Sequence, residues 1–304
     1  MFFTKSIGSY QISGRNFLLK NIKDILTIAV PISLSQIIHS VSRSIEALLV
    51  PKGLVLSGLS ASDGLSLYGK TTGMVMPLVF FPALFIRAMS SNIIPQIAKA
   101  VAQQNKDYAF KLSQQALFLT SFFAFAVTAF FIALSEPVAE LLFPNFELGN
   151  LIIAFSAGIP FYYIESILMS ILRGLGDNTT PIVTALTTLF LTNPILFVLT
   201  AKTSMGIYGF SVALITASAV AICISIRQIE KGFQRQFNMV EIILKPMACC
   251  LFMAYIMGEV FLPLVNLDFP RLLCIVAALI LGLSGYLILA LALGIDLKSF
   301  RNRS

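Results

Sequence analysis

The chain has no tryptophan, a single histidine (His39) and four cysteines, and only 12% of its 304 residues are charged. Each shortage excludes something. Cys223, Cys249, Cys250 and Cys274 show neither C-x-x-C spacing nor a neighbouring histidine, so neither a zinc site nor a disulfide framework is indicated, and they are expected to pack as small hydrophobes. The low charge argues against a soluble domain, which is typically about 25% charged and about 45–50% apolar. Here 57% of residues are hydrophobic and the mean hydropathy is +0.89. The first 24 residues are polar and basic and lack the apolar run of about 7–15 residues that a cleavable signal peptide needs.

What the chain has instead is long apolar runs. A bilayer core is crossed by about 20 apolar residues in a helix. Residues 25–50, 71–95, 115–135, 148–172, 179–200, 205–226, 243–265 and 272–294 all reach that length. The expected fold class is therefore an all-α, polytopic membrane bundle of about eight transmembrane helices. Residues 1–24 are expected to be a cytoplasmic linker or interfacial segment, 25–226 a six-helix lobe, 227–242 a cytoplasmic amphipathic loop, and 243–304 two additional helices and a basic tail. A second basic amphipathic helix is expected over residues 96–114. The first external loop, residues 51–70, has a Gly-, Ser- and Leu-rich composition suited to dipping back into the membrane.

The formal charge of +7 would suggest nucleic acid in a soluble protein, but in a membrane protein the distribution of Lys and Arg between loops is the informative quantity. Fifteen cationic residues fall on the N-terminal arm, the even-numbered loops and the tail, from Lys5 to Arg303. Only Lys52, Lys70, Lys202 and Arg271 fall on the odd-numbered loops. The positive-inside rule then places both termini in the cytoplasm, as an even number of spans requires. No nucleic-acid partner is called for; the expected surroundings are membrane lipids.

Charges inside apolar spans cost on the order of 3 kcal/mol each at the bilayer centre, so Arg43, Glu46, Arg87 and Glu165 need partners, water or both. Ser35, His39, Ser42, Arg43 and Glu46 recur at helical spacing along one face of the first span. Arg43 and Glu46, at i and i+3, are close enough to pair. A self-neutralised pair with Arg43 reaching outward would explain two of these residues. A stripe of five running to mid-membrane is better explained as the wall of a hydrophilic cavity. Arg87 lies deep in the second span, and Glu165, in the middle of the fourth, is its best available partner. The threonines of the fifth span, Thr184, Thr187, Thr188 and Thr192, are expected to bond back to their own helix or pack against neighbours.

The wording around the first two loops carries a resemblance. Residues 44–51 (SIEALLVP), 68–82 (YGKTTGMVMPLVFFP) and 92–98 (NIIPQIA), followed by 171–177 (ILRGLGD) and 206–209 (GIYG), resemble stage V sporulation protein B and its relatives. That group is similar to the polysaccharide and peptidoglycan-precursor flippases of the multidrug/oligosaccharidyl-lipid/polysaccharide exporter superfamily. The resemblance covers roughly residues 20–295 and only the second half of such a protein. It implies two six-helix lobes around a central cavity, often with two extra helices, and alternating access between the membrane faces. The missing wall would then come from a separate N-terminal lobe or a second copy, or the chain is a truncated product without activity of its own. The lipid II flippases are similar in carrying an Asp-Arg pair near the start of the second span; here Lys70-Thr71 stands near that place, and Lys70 keeps one positive charge for a pyrophosphate headgroup.

The function this implies is transport of a lipid-linked oligosaccharide or peptidoglycan precursor across the plasma membrane for cell-envelope or spore-cortex synthesis, without covalent chemistry or a cofactor. The expected cavity residues are Ser35, His39, Arg43, Glu46, Lys70, Arg87 and Glu165. Arg43, Lys70 and Arg87 would meet the pyrophosphate, while His39 and Glu46 tune charge or carry a coupled proton. A multidrug exporter of the same superfamily is the alternative, favoured by Glu46, Glu165 and Tyr162-Tyr163 and disfavoured by the intramembrane arginines. A membrane glycosyltransferase or ligase would need clustered acids on an aqueous loop, and Asp63, Glu136, Glu140, Glu147 and Asp268 are scattered.

Overall fold

The computed structural model describes residues 15–144 and 147–294, and every regular element in that span is helical. The chain runs through α1 (Arg15–Leu56), α2 (Ala61–Lys70), a π-helical turn (Thr71–Val75), α3 (Met76–Phe80), α4 (Ala83–Ala102), α5 (Lys106–Leu142), α6 (Gly149–Ser156), α7 (Ile159–Gly174), α8 (Thr180–Lys202), α9 (Tyr208–Phe233), a second π-helical turn (Val240–Leu244), α10 (Lys245–Asn266) and α11 (Arg271–Ala292). Six helical stretches are long and apolar enough to cross a membrane. A seventh is the bent pair Ala61–Phe80 and Ala83–Ala102, and the expected first span, residues 25–50, lies inside the 42-residue α1. The protein is a multi-pass membrane helix bundle.

Several boundaries differ from the sequence expectation. The second span is broken by 54°. Pro82 has no N–H to continue the ladder, so Phe81 N–H falls back to Leu78 O and α4 starts afresh at Ala83. Residues 96–114 are not one separate helix: α4 runs to Ala102, Gln104 turns the chain with φ +56°, and the Asn105 side chain caps α5 by accepting Tyr108 N–H at 3.0 Å. Residues 227–242 divide likewise, with α9 reaching Phe233 and Gln234 turning at φ +56°. The loop expected over 51–70 is largely helical, because α1 passes through Pro51 to Leu56 and Ser60 caps α2. Of the expected N-terminal segment, residues 1–14 lie outside the described residues, and from Arg15 the backbone is already that of α1. The tail beyond Gly294 is likewise outside them.

Packing rests on three clusters. The first gathers Val50, Leu54, Val79, Ile152, Tyr163 and Phe210, the second Ile97, Leu117, Ile167 and Leu168, and the third Phe125, Met253, Met257 and Tyr286. Lipid tails are as apolar as leucine, so helices in a membrane associate through close packing and hydrogen bonds rather than exclusion of water. Both devices are visible. Gly282 and Gly285 of α11 receive Met257 and Ile256 of α10, and the Tyr286 hydroxyl donates to Phe122 O of α5 at 2.9 Å. Ser211 of α9 donates to Ala154 O of α6 at 2.6 Å. Along the other edge α1 packs on α8, α8 on α9 and α9 on α7, which places four helices around the cavity described next.

Candidate functional site

The polar stripe of α1 turns inward. Ser35, Ser42 and Glu46 are buried, His39 is half-buried, and Arg43 is exposed. Gln36, His39, Ser42, Arg43 and Glu46 form one wall of a cavity of about 330 Å³. Met76 of α3, Tyr162 and Glu165 of α7, Thr188 and Thr192 of α8, and Leu214, Ala217 and Ser218 of α9 complete it. Isolated buried charge is costly, and each charged group here has relief close by. Ser42 Oγ donates to Glu46 Oε1 at 3.0 Å, the Arg43 charge attracts the Glu46 carboxylate, and Ser218 is placed to hydrogen-bond Glu165.

Three of the residues expected in the cavity stand apart from this lining. Ser35 spends its hydroxyl on Ile32 O, 2.8 Å away in its own helix. Lys70 sits half-buried at the end of α2, and Arg87 is exposed on α4, beyond the break at Phe81–Pro82. Arg87 forms no ion pair with Glu165 among the described residues, whose only salt bridges are Arg235–Asp107 and Arg271–Glu140. The threonines behave as expected: Thr184, Thr187 and Thr188 each bond back to a carbonyl one turn earlier.

The structure adds one group that the sequence reading passed over, Asn193, and gives another that it named, Tyr162, a definite place. Asn193, buried in α8, donates through Nδ2 to Leu189 O (2.8 Å) and weakly to Ser42 Oγ (3.4 Å), and its Oδ1 has no hydrogen-bond partner among the described residues. Tyr162, packed edge-on against Phe80, likewise has a buried hydroxyl without a partner among them. Asn193 extends the Ser42–Glu46 bond into a chain reaching from α1 to α8. Its only sequence signal was an amide beside Pro194 in an apolar span, whereas Tyr162 was visible one helical turn from Glu165. The cavity thus offers two carboxyls, a guanidinium, an imidazole, hydroxyls and unused hydrogen-bonding capacity inside an apolar bundle.

Residues 75–263 match the family described as lipid II flippase MurJ, a stretch longer than half the chain. The chain belongs to the MurJ family. Stage V sporulation protein B of Bacillus subtilis (strain 168) is 19% identical over 207 residues, which cover 68% of this chain and 40% of that protein. The solved structure of lipid II flippase MurJ in an inward closed conformation is similar with a TM-score of 0.66 and 18% identity, over 92% of this chain and 56% of that one. An outward-facing multidrug resistance MATE family transporter of the MOP superfamily is similar with a TM-score of 0.58 and 14% identity, over 88% of this chain and 64% of that one. These likenesses show the fold shared across the MurJ and MATE groups. The chain spans less than two thirds of the length of each of these proteins.

Proposed function

We propose that this chain forms one wall of a flippase that carries a lipid-linked saccharide, of the peptidoglycan-precursor class, from the inner to the outer leaflet of the plasma membrane without covalent chemistry. The supporting observation is the polar cavity at His39, Arg43, Glu46 and Glu165 in a chain of the MurJ family. A polyprenyl-pyrophosphate headgroup needs positive partners on its path, and Arg43 supplies one at the cavity. Lys70 and Arg87, outside that lining, are assigned the approach of the headgroup, and His39 and Glu46 the balance of charge or a coupled proton. Ser35 and Glu165 complete the assigned transport path. The charge distribution of the loops supports a cytoplasmic position for both termini. Residues 25–226 are the transport lobe and residues 243–304 an accessory pair of helices with a tail. A second lobe, separately encoded or supplied by another copy, would face the cavity.

Reconstitution tests this. Liposomes holding the chain, alone and with a candidate partner lobe, are loaded with a fluorescent polyprenyl-pyrophosphate sugar, and the headgroup appearing at the far surface is counted. Transport that falls at least tenfold in Arg43→Gln supports the reading. Movement of a cationic dye with no movement of the lipid would overturn it in favour of the multidrug exporter.

A further inference from the structure

A second cavity, of about 730 Å³, opens between α8 and α9 on residues separate from those of the polar cavity. Its lining is graded. Arg227 and Lys231 stand at one end, and Val183, Val220 and Ile224 continue along the wall toward Thr216. From Lys231 back to Thr216 is 15 residues of α9. At 1.5 Å per residue that is about 22 Å, close to half of a bilayer measured with its headgroups. Cations at the membrane surface, an apolar wall below them and the depth of one leaflet match the dimensions and polarity of a single phospholipid.

The charge at the surface end is available. Neither Arg227 nor Lys231 forms an ion pair among the described residues, and both are exposed. The nearby carboxylate, Asp177, is committed elsewhere: it accepts the N–H and hydroxyl groups of Thr179 and Thr180 and the Gln228 amide at 3.2 Å. Two cations one helical turn apart on α9 are thereby left facing the groove without an ion pair among the described residues, and an anionic headgroup is a complement to them.

We propose that the α8–α9 groove is a binding site for an anionic phospholipid of the adjoining leaflet, its headgroup held by Arg227 and Lys231 and an acyl chain lying along Val183, Val220 and Ile224. The site is distinct from the polar cavity and does not rest on the transport function assigned there.

Native mass spectrometry of the full chain, released from detergent with dioleoyl phosphatidylglycerol or dioleoyl phosphatidylcholine, tests it. The expected result is retention of phosphatidylglycerol over phosphatidylcholine by about tenfold or more, toward the roughly 30-fold that two cations can supply. R227Q/K231Q should lose the preference, and V220W, which fills the groove and keeps both cations, should lose the bound lipid. If V220W does not elute as a monodisperse species, V183W takes its place. K99Q/K106Q, neutralised elsewhere, should bind as the wild type does. Equal retention of the two lipids by the wild type, an unchanged preference in R227Q/K231Q, or an equal loss in K99Q/K106Q would each overturn the site.

Discussion

Ser42 and Glu46 are joined one turn apart on α1, the serine hydroxyl donating to the buried carboxylate at 3.0 Å. The bond matters because a buried acceptor that loses its donor keeps the cost of leaving water. Ser42→Ala should destabilise the protein by about 1–3 kcal/mol, since it strips the donor from Glu46 and an acceptor from Asn193. Glu46→Gln keeps an acceptor oxygen and removes the buried charge, so it should cost less. Thermal unfolding in detergent ranks the two; a Tm for Ser42→Ala equal to that of the wild type would show that the bond contributes nothing.

At Gly209 the start of α9 lies against Leu199 near the end of α8. A Cβ there would lie 2.7 Å from Leu199 Cβ and 2.9 Å from the Leu199 carbonyl carbon. Because the second contact is with backbone, a rotamer change cannot relieve it, and Gly209→Ala should cost about 1–3 kcal/mol by overpacking. Gly69→Ala is the control, with nothing within 4 Å of the added carbon. Tm values for the two variants should separate by several degrees, and coincident values would mean that α8 and α9 stand further apart than described.

The stripe on α1 was legible because a continuous helix preserves the 3.6-residue period: Ser42, Glu46 and His39 share a cavity as their spacing requires. Arg87 stands outside that cavity, where the same logic would have put it inside. Extending a straight helix from residue 71 to 95 carries its face past Pro82, but the 54° bend re-aims everything beyond. Proline in a membrane span was visible in the sequence; whether it kinks or is accommodated, as Pro51 and Pro194 are within α1 and α8, depends on neighbours that the sequence does not place. Asn193 was missed for a related reason, since one amide in an apolar run has no period and acquires meaning only once α8 lies beside Ser42.

At the start of α8, Asp177 sets a pH limit. Burial pushes its carboxyl up, but the hydroxyl and N–H donors of Thr180 and Thr179 outweigh burial and hold it below the ordinary carboxylate value. A depressed folded-state value means that the stabilisation is complete above the unfolded value of about 3.9 and is lost as the pH falls through the lower folded one. Asp177→Ala should therefore cost about 1 kcal/mol at neutral pH, in the manner of a lost helix cap. The Tm gap between wild type and Asp177→Ala should stay constant from about pH 7 to 5 and close only in stronger acid. A gap that closed near neutrality would contradict the bonding seen at Asp177.

The four cysteines separate the exposed face of α9 from the packed faces of α10 and α11. All are free thiols; Cys223 is exposed and lines the α8–α9 groove, while Cys249, Cys250 and Cys274 are buried among Met253, Met257 and Tyr286 or against Phe269 O. Burial denies a reagent access to three of them, so a membrane-permeable maleimide should add once, at Cys223, in the folded protein and four times after unfolding. Intact-mass measurement over time reads the number of adducts, and Cys223→Ser should abolish the early one. Rapid modification at Cys249 or Cys250 in the folded protein would mean that α10 does not pack on α5 as tightly as the 0% and 5% exposure of those two residues requires.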